Sequence, residues 1–442
     1  MFYFRVVSLL TISLVPQPFV SWGAFYDGPA HEEDKATGLL VDSAGHCYLT
    51  GYSFGKETDF DFATVKFNSR GETLWTRRYG SPLNCEDRSW CSALDYEGNL
   101  IVCGGSIADM SHGWDFLVIK SRPDGETVWL RRLDFPEHGD DKPAGLAIAP
   151  DNSILIVGAS RHQGRRRDWD IATVKLSPQG DTVWTRLFNG PASGDDYGLA
   201  LAVDSGGNCY VTGKVVSSPP WTDIALLKFS PEGRLFWQKL LDGPGRMNDF
   251  PAGLVLDRSG GYLFGTVTGK GTGFDYFIAR FTQNGKILWQ RSYDGAHRGD
   301  FCQAGRLESA GNLTVTGQST GQNSSFDIAT LKFSSSGRLL WENRYNGPAN
   351  GADRGYCVTE AGSDRVLVGG TSEGASGYPE LVLVSLASAS GDSLWTFRYS
   401  GGGAGESRPV ALRVVGNRTL VAGWAFRPES GFDYLLLCLE RE

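Results

Sequence analysis

The sequence has few of the residues from which metal centres and nucleic-acid interfaces are usually built. Its 442 residues include six histidines, scattered along the chain, and no Cys-x2-Cys or His-x3-His spacing occurs. A zinc site is therefore not indicated. The net charge of −8 argues against nucleic acid as a partner, because phosphates require a basic face.

The chain also lacks linkers and long apolar runs. After the first 20 residues no apolar run reaches membrane length. Residues 1–21 resemble a secretory signal, with Arg5 as the charged flank and Val6 to Val15 as a short apolar core. No Pro-rich, Ser-rich or charged stretch interrupts residues 22–442. We expect a single exported domain without a transmembrane helix, monomeric, and secreted, periplasmic or at the cell surface.

What the chain does contain is a repeat, marked by a Trp that follows a Gly-containing turn. Seven copies lie 52 to 55 residues apart. A period of this length is typical of a radial or solenoid array. The repeated residues are Trp75, Trp129, Trp184, Trp237, Trp289, Trp341 and Trp395.

Each repeat reads as four short strands, A to D, without helical periodicity. Strands of five to seven β-branched and aromatic residues alternate with Gly, Ser and Asp turns, as between Ala36 and Tyr79. Four strands in about 53 residues form one propeller blade. Eight A-B-C units occur, and the last has no strand D.

The segment after the signal supplies the missing strand. Trp22 to Pro29 repeats the Trp-x3-Tyr-x-Gly-Pro spacing of Trp341 to Pro348. We therefore predict an all-β, eight-bladed propeller of four-stranded antiparallel blades, in which an N-terminal strand closes the last blade and removes two sheet edges. Seven blades with a stray segment is the alternative.

The stretches ATGLLVDSAGHCYLTG, DFDFATVKFNSRGETLW and YNGPANGAD resemble the SBBP-type β-propeller repeat of extracellular bacterial proteins. The resemblance covers residues 22 to 442. It implies the propeller fold and an exported location, and it implies no activity.

Two sets of acids recur and form the candidate binding face, on the side of the propeller that carries the D-to-A and B-to-C links. The first set precedes strand A, and either fixes the links between blades or attracts cations. The second follows an aromatic residue at the start of strand C, which either clamps a neighbouring blade or joins the acids in binding carbohydrate or peptide. The first set is Asp34, Asp87, Asp141, Asp196, Asp249, Asp300, Asp353 and Glu406. The second is Asp61, Asp115, Asp170, Asp223, Asp275, Asp327 and Asp433, with Glu380 at the same place in blade seven.

A third pattern lies at the opposite ends of the strands. In most blades strand C ends with a base, as at Lys66, and strand A ends with an acid, as at Asp42. Blades seven and eight lose both members together, which predicts that the two are partners.

The cysteines suggest one local bridge. Cys85 and Cys91 are close enough in sequence for a disulfide, which an exported protein permits. The other six read as small buried apolar residues.

The function expected from these observations is a non-enzymatic binding or scaffold module for a protein or glycan ligand. It needs no cofactor and no metal, with calcium at the acidic rings as the one open option. The alternative is an enzyme built on a propeller, either polysaccharide-active or quinone-dependent. The stretches Gly-Lys-Ile-Leu-Trp and Gly-Arg-Leu-Leu-Trp look like repeats of pyrroloquinoline quinone enzymes. Those enzymes need a calcium site and a catalytic Asp in the channel, and the sequence singles out neither.

Overall fold

A computed structural model describes residues 17–107, 113–135, 139–162, 168–401 and 405–441. Residues 1–16 of the expected export signal lie outside this part of the chain. The described residues form 32 strands and no helix. None of them therefore belongs to a helix with the length and apolarity needed to span a bilayer.

The strands form eight antiparallel sheets of four, each with the order A-B-C-D, so the eight-bladed prediction is confirmed. The first strand, β1 (Phe19–Tyr26), belongs to the last blade. Blade 1 is β2 (Asp34–Val41), β3 (Cys47–Phe54), β4 (Phe60–Phe67) and β5 (Thr73–Tyr79); blade 2 is β6 (Asp87–Leu94), β7 (Leu100–Ser106), β8 (Asp115–Ser121) and β9 (Thr127–Leu133); blade 3 is β10 (Asp141–Ile148), β11 (Ile154–Arg161), β12 (Trp169–Leu176) and β13 (Thr182–Phe188); blade 4 is β14 (Tyr197–Val203), β15 (Cys209–Ser218), β16 (Trp221–Phe229) and β17 (Leu235–Leu241).

Blade 5 is β18 (Phe250–Asp257), β19 (Gly260–Thr268), β20 (Phe274–Thr282) and β21 (Ile287–Tyr293); blade 6 is β22 (Asp300–Leu307), β23 (Leu313–Thr320), β24 (Phe326–Phe333) and β25 (Leu339–Tyr345); blade 7 is β26 (Asp353–Glu360), β27 (Arg365–Glu373), β28 (Pro379–Ala387) and β29 (Ser393–Tyr399); blade 8 is β30 (Ser407–Val415), β31 (Arg418–Arg427) and β32 (Gly431–Glu440), completed by β1.

The A strands form the inner wall of the ring. Each contacts the A strand of the next blade, and β2 contacts β30, so the ring closes around a central channel. Strands B and C are buried almost throughout because each blade packs between two neighbours. This explains why their sequences are apolar on both faces and do not alternate.

The N-terminal strand closes blade 8, as the sequence predicts. Strand β1 pairs antiparallel with β32 from Phe19, opposite Glu440, to Tyr26, opposite Tyr434. The strand begins three residues before the expected domain start at Trp22. The paired segment therefore extends into residues that the sequence assigns to the export signal.

A Trp-on-glycine contact is present at seven of the eight blade junctions. The indole of Trp75 covers Gly125, which has a positive φ in the C-to-D turn of blade 2, and a Cβ there would lie 3.0 Å from the ring. Glycine is required at this turn by both its conformation and the ring above it. The same contact joins Trp22 to Gly71, which seals the ring between blades 8 and 1.

The paired acids and bases on the opposite face are confirmed. The Nζ of Lys120 lies 2.8 Å from Asp95, and that of Lys332 lies 2.6 Å from Glu308. The bases are buried, and the same ammonium groups donate to the next blade, as Lys120 does to Pro178 O at 3.2 Å. The other pairs are Lys66 with Asp42, Lys175 with Asp151, Lys228 with Asp204 and Arg280 with Asp257.

Candidate functional sites at the blade junctions and in the channel

The strand-A acids lie at the junctions between blades, where they hold the D-to-A links. Each is fully buried, and one carboxylate oxygen accepts a backbone N–H from the link, as Asp34 does from Gly28 at 2.5 Å and Asp300 from Gly295 at 2.8 Å. Their burial corrects the picture of an exposed ring of carboxylates at the channel mouth. The acids of this kind are Asp34, Asp87, Asp141, Asp196, Asp249, Asp300 and Asp353.

The eighth member of this set is not Glu406. In the register of blade 8, Ser407 pairs with Ala425 as Asp34 pairs with Ser53 in blade 1. Ser407 is fully buried at the Asp34 position, whereas Glu406 lies one residue before the strand. The acidic set is therefore seven aspartates and one serine.

The strand-C acids lie beside the strand-A acids, and in four blades an Arg from strand D neutralises them. Arg78 lies 2.7 Å from Asp61, Arg344 lies 3.0 Å from Asp327, and Arg398 lies 2.9 Å from Glu380. Arg132 reaches Asp115 at 3.5 Å. In blade 3, His162 Nε2 lies 2.7 Å from Asp170.

At four junctions a third carboxylate approaches, and at three of these strand D supplies no Arg. Three acids lie together at four junctions, with one oxygen of each within 4.8 Å of the others. These acidic triads are Asp27, Asp34 and Asp433; Asp115, Asp134 and Asp141; Asp223, Asp242 and Asp249; and Asp275, Asp294 and Asp300. They combine both predicted sets with acids of the D-to-A link, which the sequence analysis did not single out.

Burial raises the pKa of the buried strand-A acids and of Asp433 above the usual range, because the charged form loses its hydration. The pKa of Asp141 rises to about 7, and those of Asp34, Asp196 and Asp249 to about 6, chiefly through desolvation. The pKa of Asp433 also rises to about 6, with burial the first cause. Hydrogen bonds from Ser hydroxyls and link amides limit the rise.

The aromatic residues before the strand-C acids clamp the blades. Arg88 of blade 2 stacks 4.3 Å from the Phe60 ring of blade 1, and Lys35 of blade 1 lies 4.5 Å from the Phe432 ring of blade 8. Such contacts favour the clamp over a free aromatic platform.

Two arginines break the symmetry inside the channel. Arg306 of β22 and Arg413 of β30 occupy the strand position of Leu40, which the other blades fill with Leu, Ala, Val or Thr. Both side chains are exposed to the channel. Desolvation, and then the charge of Arg306, lowers the pKa of Arg413. Among the described residues, no acid pairs with either guanidinium group.

Beside Arg413 lies a cavity of about 340 Å³, lined by A strands of blades 1, 2, 7 and 8. Its wall includes Trp90, Cys91, Cys357 and Arg413. A polar, partly aromatic pocket with unpaired positive charge can bind a carboxylate or another anion.

The predicted Cys85–Cys91 bridge is not formed. Cys91 is a free thiol that donates to Cys103 O across the β6–β7 pair at 3.7 Å, while the Cys85 thiol donates to Leu83 O. Strand pairing turns Cys91 towards its partner strand, and Cys85 lies in the preceding link.

No protein-family model matches the sequence, and no curated protein does. Solved structures do match in fold. A quinohemoprotein alcohol dehydrogenase from Comamonas testosteroni superposes with a TM-score of 0.58 at 11% identity, over 96% of this chain and 77% of that chain. A europium-containing methanol dehydrogenase gives 0.57 at 10% identity, over 96% and 94% of the two chains. The dihydro-heme d1 dehydrogenase NirN gives 0.55 at 12% identity, over 95% and 78%.

These comparisons correct the expected function. The three propellers above are dehydrogenases named for quinone, haem or europium, which contradicts the expectation of a non-enzymatic binding or scaffold module without a cofactor and favours the enzyme alternative. The eight-bladed propeller fold is shown, while membership of the SBBP repeat family is not confirmed.

Proposed function

We propose that this protein is an exported propeller enzyme of the quinone-dependent dehydrogenase type, with its active site in the central channel. The observation that carries the proposal is the pair of channel arginines, Arg306 and Arg413, with no acidic partner among the described residues. In a repeat protein, a break in symmetry at one level of the channel favours a ligand over a structural role.

The residues fit an anionic quinone in part. Two guanidinium groups suit carboxylates, the cavity of about 340 Å³ accepts a flat molecule, and Trp90 offers an aromatic face. A channel metal fits less well, because the strand-A positions equivalent to Thr37, Gly38 and Leu40 carry no carboxylate in any blade. We therefore derive no step through a metal there.

The chain's own residues would bind and orient the ligand. Arg306 and Arg413 would hold its carboxylates from two blades, with Thr359 of the intervening blade at the same level. The basic side chains near the channel mouth, including Lys142 and Arg354, would attract an anion into an otherwise acidic protein. When bound, such a quinone supplies the electron acceptor for alcohol oxidation.

Calorimetric titration with pyrroloquinoline quinone tests this proposal. We expect saturable binding to the wild type, and about 10- to 100-fold weaker binding to Arg306→Gln and to Arg413→Gln, because each loses a charge-assisted hydrogen bond. Arg338→Gln, on an exposed turn, is the matched control and should bind as the wild type.

Absence of saturable binding to the wild type would overturn the proposal, as would equal affinity in the two channel variants. The rate of dye-linked oxidation of primary alcohols, measured with the quinone present, should be lower in Arg306→Gln and Arg413→Gln than in the wild type. The Arg338→Gln control should keep the wild-type rate.

A further inference from the structure

Two of the four acidic triads combine the lack of a strand-D base with an unpartnered, buried oxygen of the strand-C acid. At the junction of blades 8 and 1 the triad is Asp27, Asp34 and Asp433; at that of blades 5 and 6 it is Asp294, Asp300 and Asp275. Both contain an acid from strand C, one from the link and one from strand A of the next blade. We call them the 8/1 triad and the 5/6 triad.

Comparison with the junction of blades 1 and 2 shows two differences. At the junction of blades 1 and 2, Arg78 of strand D neutralises Asp61 at 2.7 Å, and the link residue is Gly80. In the 8/1 triad the residue equivalent to Arg78 is Phe25, and in the 5/6 triad it is Ser292. The residue equivalent to Gly80 is Asp27 or Asp294. In these two triads the internal cation is absent and a third carboxylate is present.

Both triads also hold buried carboxylate oxygens without a partner. Asp433 is 0% exposed and Asp275 5% exposed, and the Oδ1 atom of each has no hydrogen-bond partner among the described residues. Their Oδ2 atoms accept hydrogen bonds from Ser430 at 2.8 Å and Thr272 at 3.2 Å. The Oδ1 atom of Asp61 is also unpartnered, but Arg78 neutralises that carboxylate. Where no strand-D base is present, a missing ligand accounts for the cost of the unpaired buried oxygen.

These oxygens point towards the third acid. In blade 1, a Cβ on Gly80 would lie 2.5 Å from Oδ1 of the equivalent Asp61. The link position that Gly80 holds there is where Asp27 and Asp294 carry their carboxylates. The orphaned oxygens of Asp433 and Asp275 therefore face the interior of their triads.

The cations near these two triads do not neutralise their negative charge. In the 8/1 triad, Arg427 lies 3.6 Å from Asp433 Oδ2, and its guanidinium also stacks on Phe25. Arg78 and Arg344 of the following blades lower the pKa values of Asp34 and Asp300, but by less than burial raises them. His31 and His297 bind the outer oxygens of Asp27 and Asp294 at 2.7 and 2.6 Å and are largely exposed.

The two remaining triads provide internal contrasts. In the triad of Asp223, Asp242 and Asp249, both oxygens of Asp249 accept backbone N–H groups, from Gly243 at 2.5 Å and Thr268 at 2.8 Å. In the triad of blades 2 and 3, Arg132 reaches Asp115. Neither of these triads has both features, the absence of a strand-D base and an unpartnered oxygen on its strand-C acid.

We propose that the 8/1 and 5/6 triads each bind one calcium ion, at sites independent of the channel. Three carboxylates supply hard oxygen ligands, and ligand atoms within 4.8 Å of one another suit the 2.3–2.6 Å bonds and flexible geometry that calcium accepts. Water and nearby hydroxyl groups complete the shell. Each ion would join the strand C and link of one blade to strand A of the next.

Calcium titration of the chelator-treated full chain by calorimetry tests the proposal. We expect two ions per chain in the wild type, one in Asp27→Asn, one in Asp294→Asn and none of high affinity in the double variant, with at least 10-fold weaker binding at each altered site. Asp242→Asn, in the hydrogen-bonded triad, is the matched control and should retain two ions.

Terbium luminescence provides a second readout, with Tyr26 and Tyr434 near the 8/1 triad as sensitisers. The terbium luminescence should be weaker in Asp27→Asn than in the wild type, and added magnesium should not restore it. Replacing Arg306 or Arg413 should leave the luminescence unchanged. The proposal is overturned if the wild type binds no calcium at millimolar concentration. It is equally overturned if Asp27→Asn and Asp294→Asn retain the wild-type stoichiometry.

Discussion

At the scale of single residues, the molecule depends on buried carboxyl groups that act as links between blades. Asp141 is fully buried, and its Oδ2 accepts the N–H of Phe135 at 3.1 Å. Burial, followed by the neighbouring acids Asp115 and Asp134, raises its pKa to about 7. The charged form is thus disfavoured in the folded protein near neutral pH.

The stability of the protein should therefore rise on mild acidification. Since the folded pKa of Asp141 lies above its unfolded value of about 4, its stabilising contribution is complete below about pH 4 and is lost as the pH rises through 7. One such group changes the free energy of unfolding by up to about 1.4 kcal/mol per pH unit in this window. Urea midpoints between pH 5 and 8 should show a smaller slope for Asp141→Asn.

Asp364→Asn is the control for that experiment, because its carboxyl is mostly exposed and its replacement should leave the slope unchanged. An Asp141→Asn slope equal to that of the wild type would show that Asp141 does not titrate in this range.

The sequence predicts the linking acids better than the site residues. A repeated Asp before strand A reveals its structural role, because the same backbone geometry recurs in every blade. Arg306 and Arg413 do not recur from blade to blade, so the repeat does not reveal them, although aligning strand A shows two bases among small apolar residues. Glu406 was misassigned because sequence spacing does not reveal that Ser407 holds the paired position.

At the scale of strands, the Trp of strand D connects blades by packing and by one hydrogen bond. Trp184 covers Gly233 of the next blade, and its Nε1 donates to Pro231 O at 2.9 Å. Trp395 has no such turn to bind, because strand D of blade 8 is β1 and does not follow β32 through a C-to-D turn, and its Nε1 has no partner among the described residues. Comparing Trp184 with Trp395 therefore distinguishes the contribution of packing to stability from that of the hydrogen bond.

Replacing these tryptophans should give unequal losses of stability. Trp184→Phe should lower the free energy of unfolding by about 1 kcal/mol more than Trp395→Phe, because only the first breaks a hydrogen bond. Trp184→Ala should cost about 3 kcal/mol or more through the cavity it leaves. Urea unfolding measures all three, and equal losses in the two Phe variants would contradict the assigned role of the Nε1 group.

At the scale of the whole molecule, β1 closes the ring of blades. The strand pairs with β32 over its length, and Trp22 covers Gly71 of blade 1. The Trp-x3-Tyr-x-Gly-Pro spacing is enough to predict this closure, since a strand D must follow strand C in every blade. The start of the strand at Phe19 could not be predicted, because Phe19 to Ser21 lack the repeat pattern and are largely exposed.

Removing the closing strand should open the ring. A chain beginning at Asp27 leaves the edge of β32 unpaired, so we expect a lower thermal midpoint and concentration-dependent association. A chain beginning at Gln17 retains β1 and serves as the control. Light scattering and thermal unfolding measure both effects, and a monodisperse, equally stable protein lacking β1 would contradict the closure.

The pairing of Phe19 with Glu440 brings the first and last strands of the described chain side by side in one sheet. A short peptide could therefore join these ends, and a new start could be cut in any of the links between blades. The blade that comes first in the sequence therefore need not be blade 1. Circular permutants that begin at another blade should fold into the same eight-bladed ring.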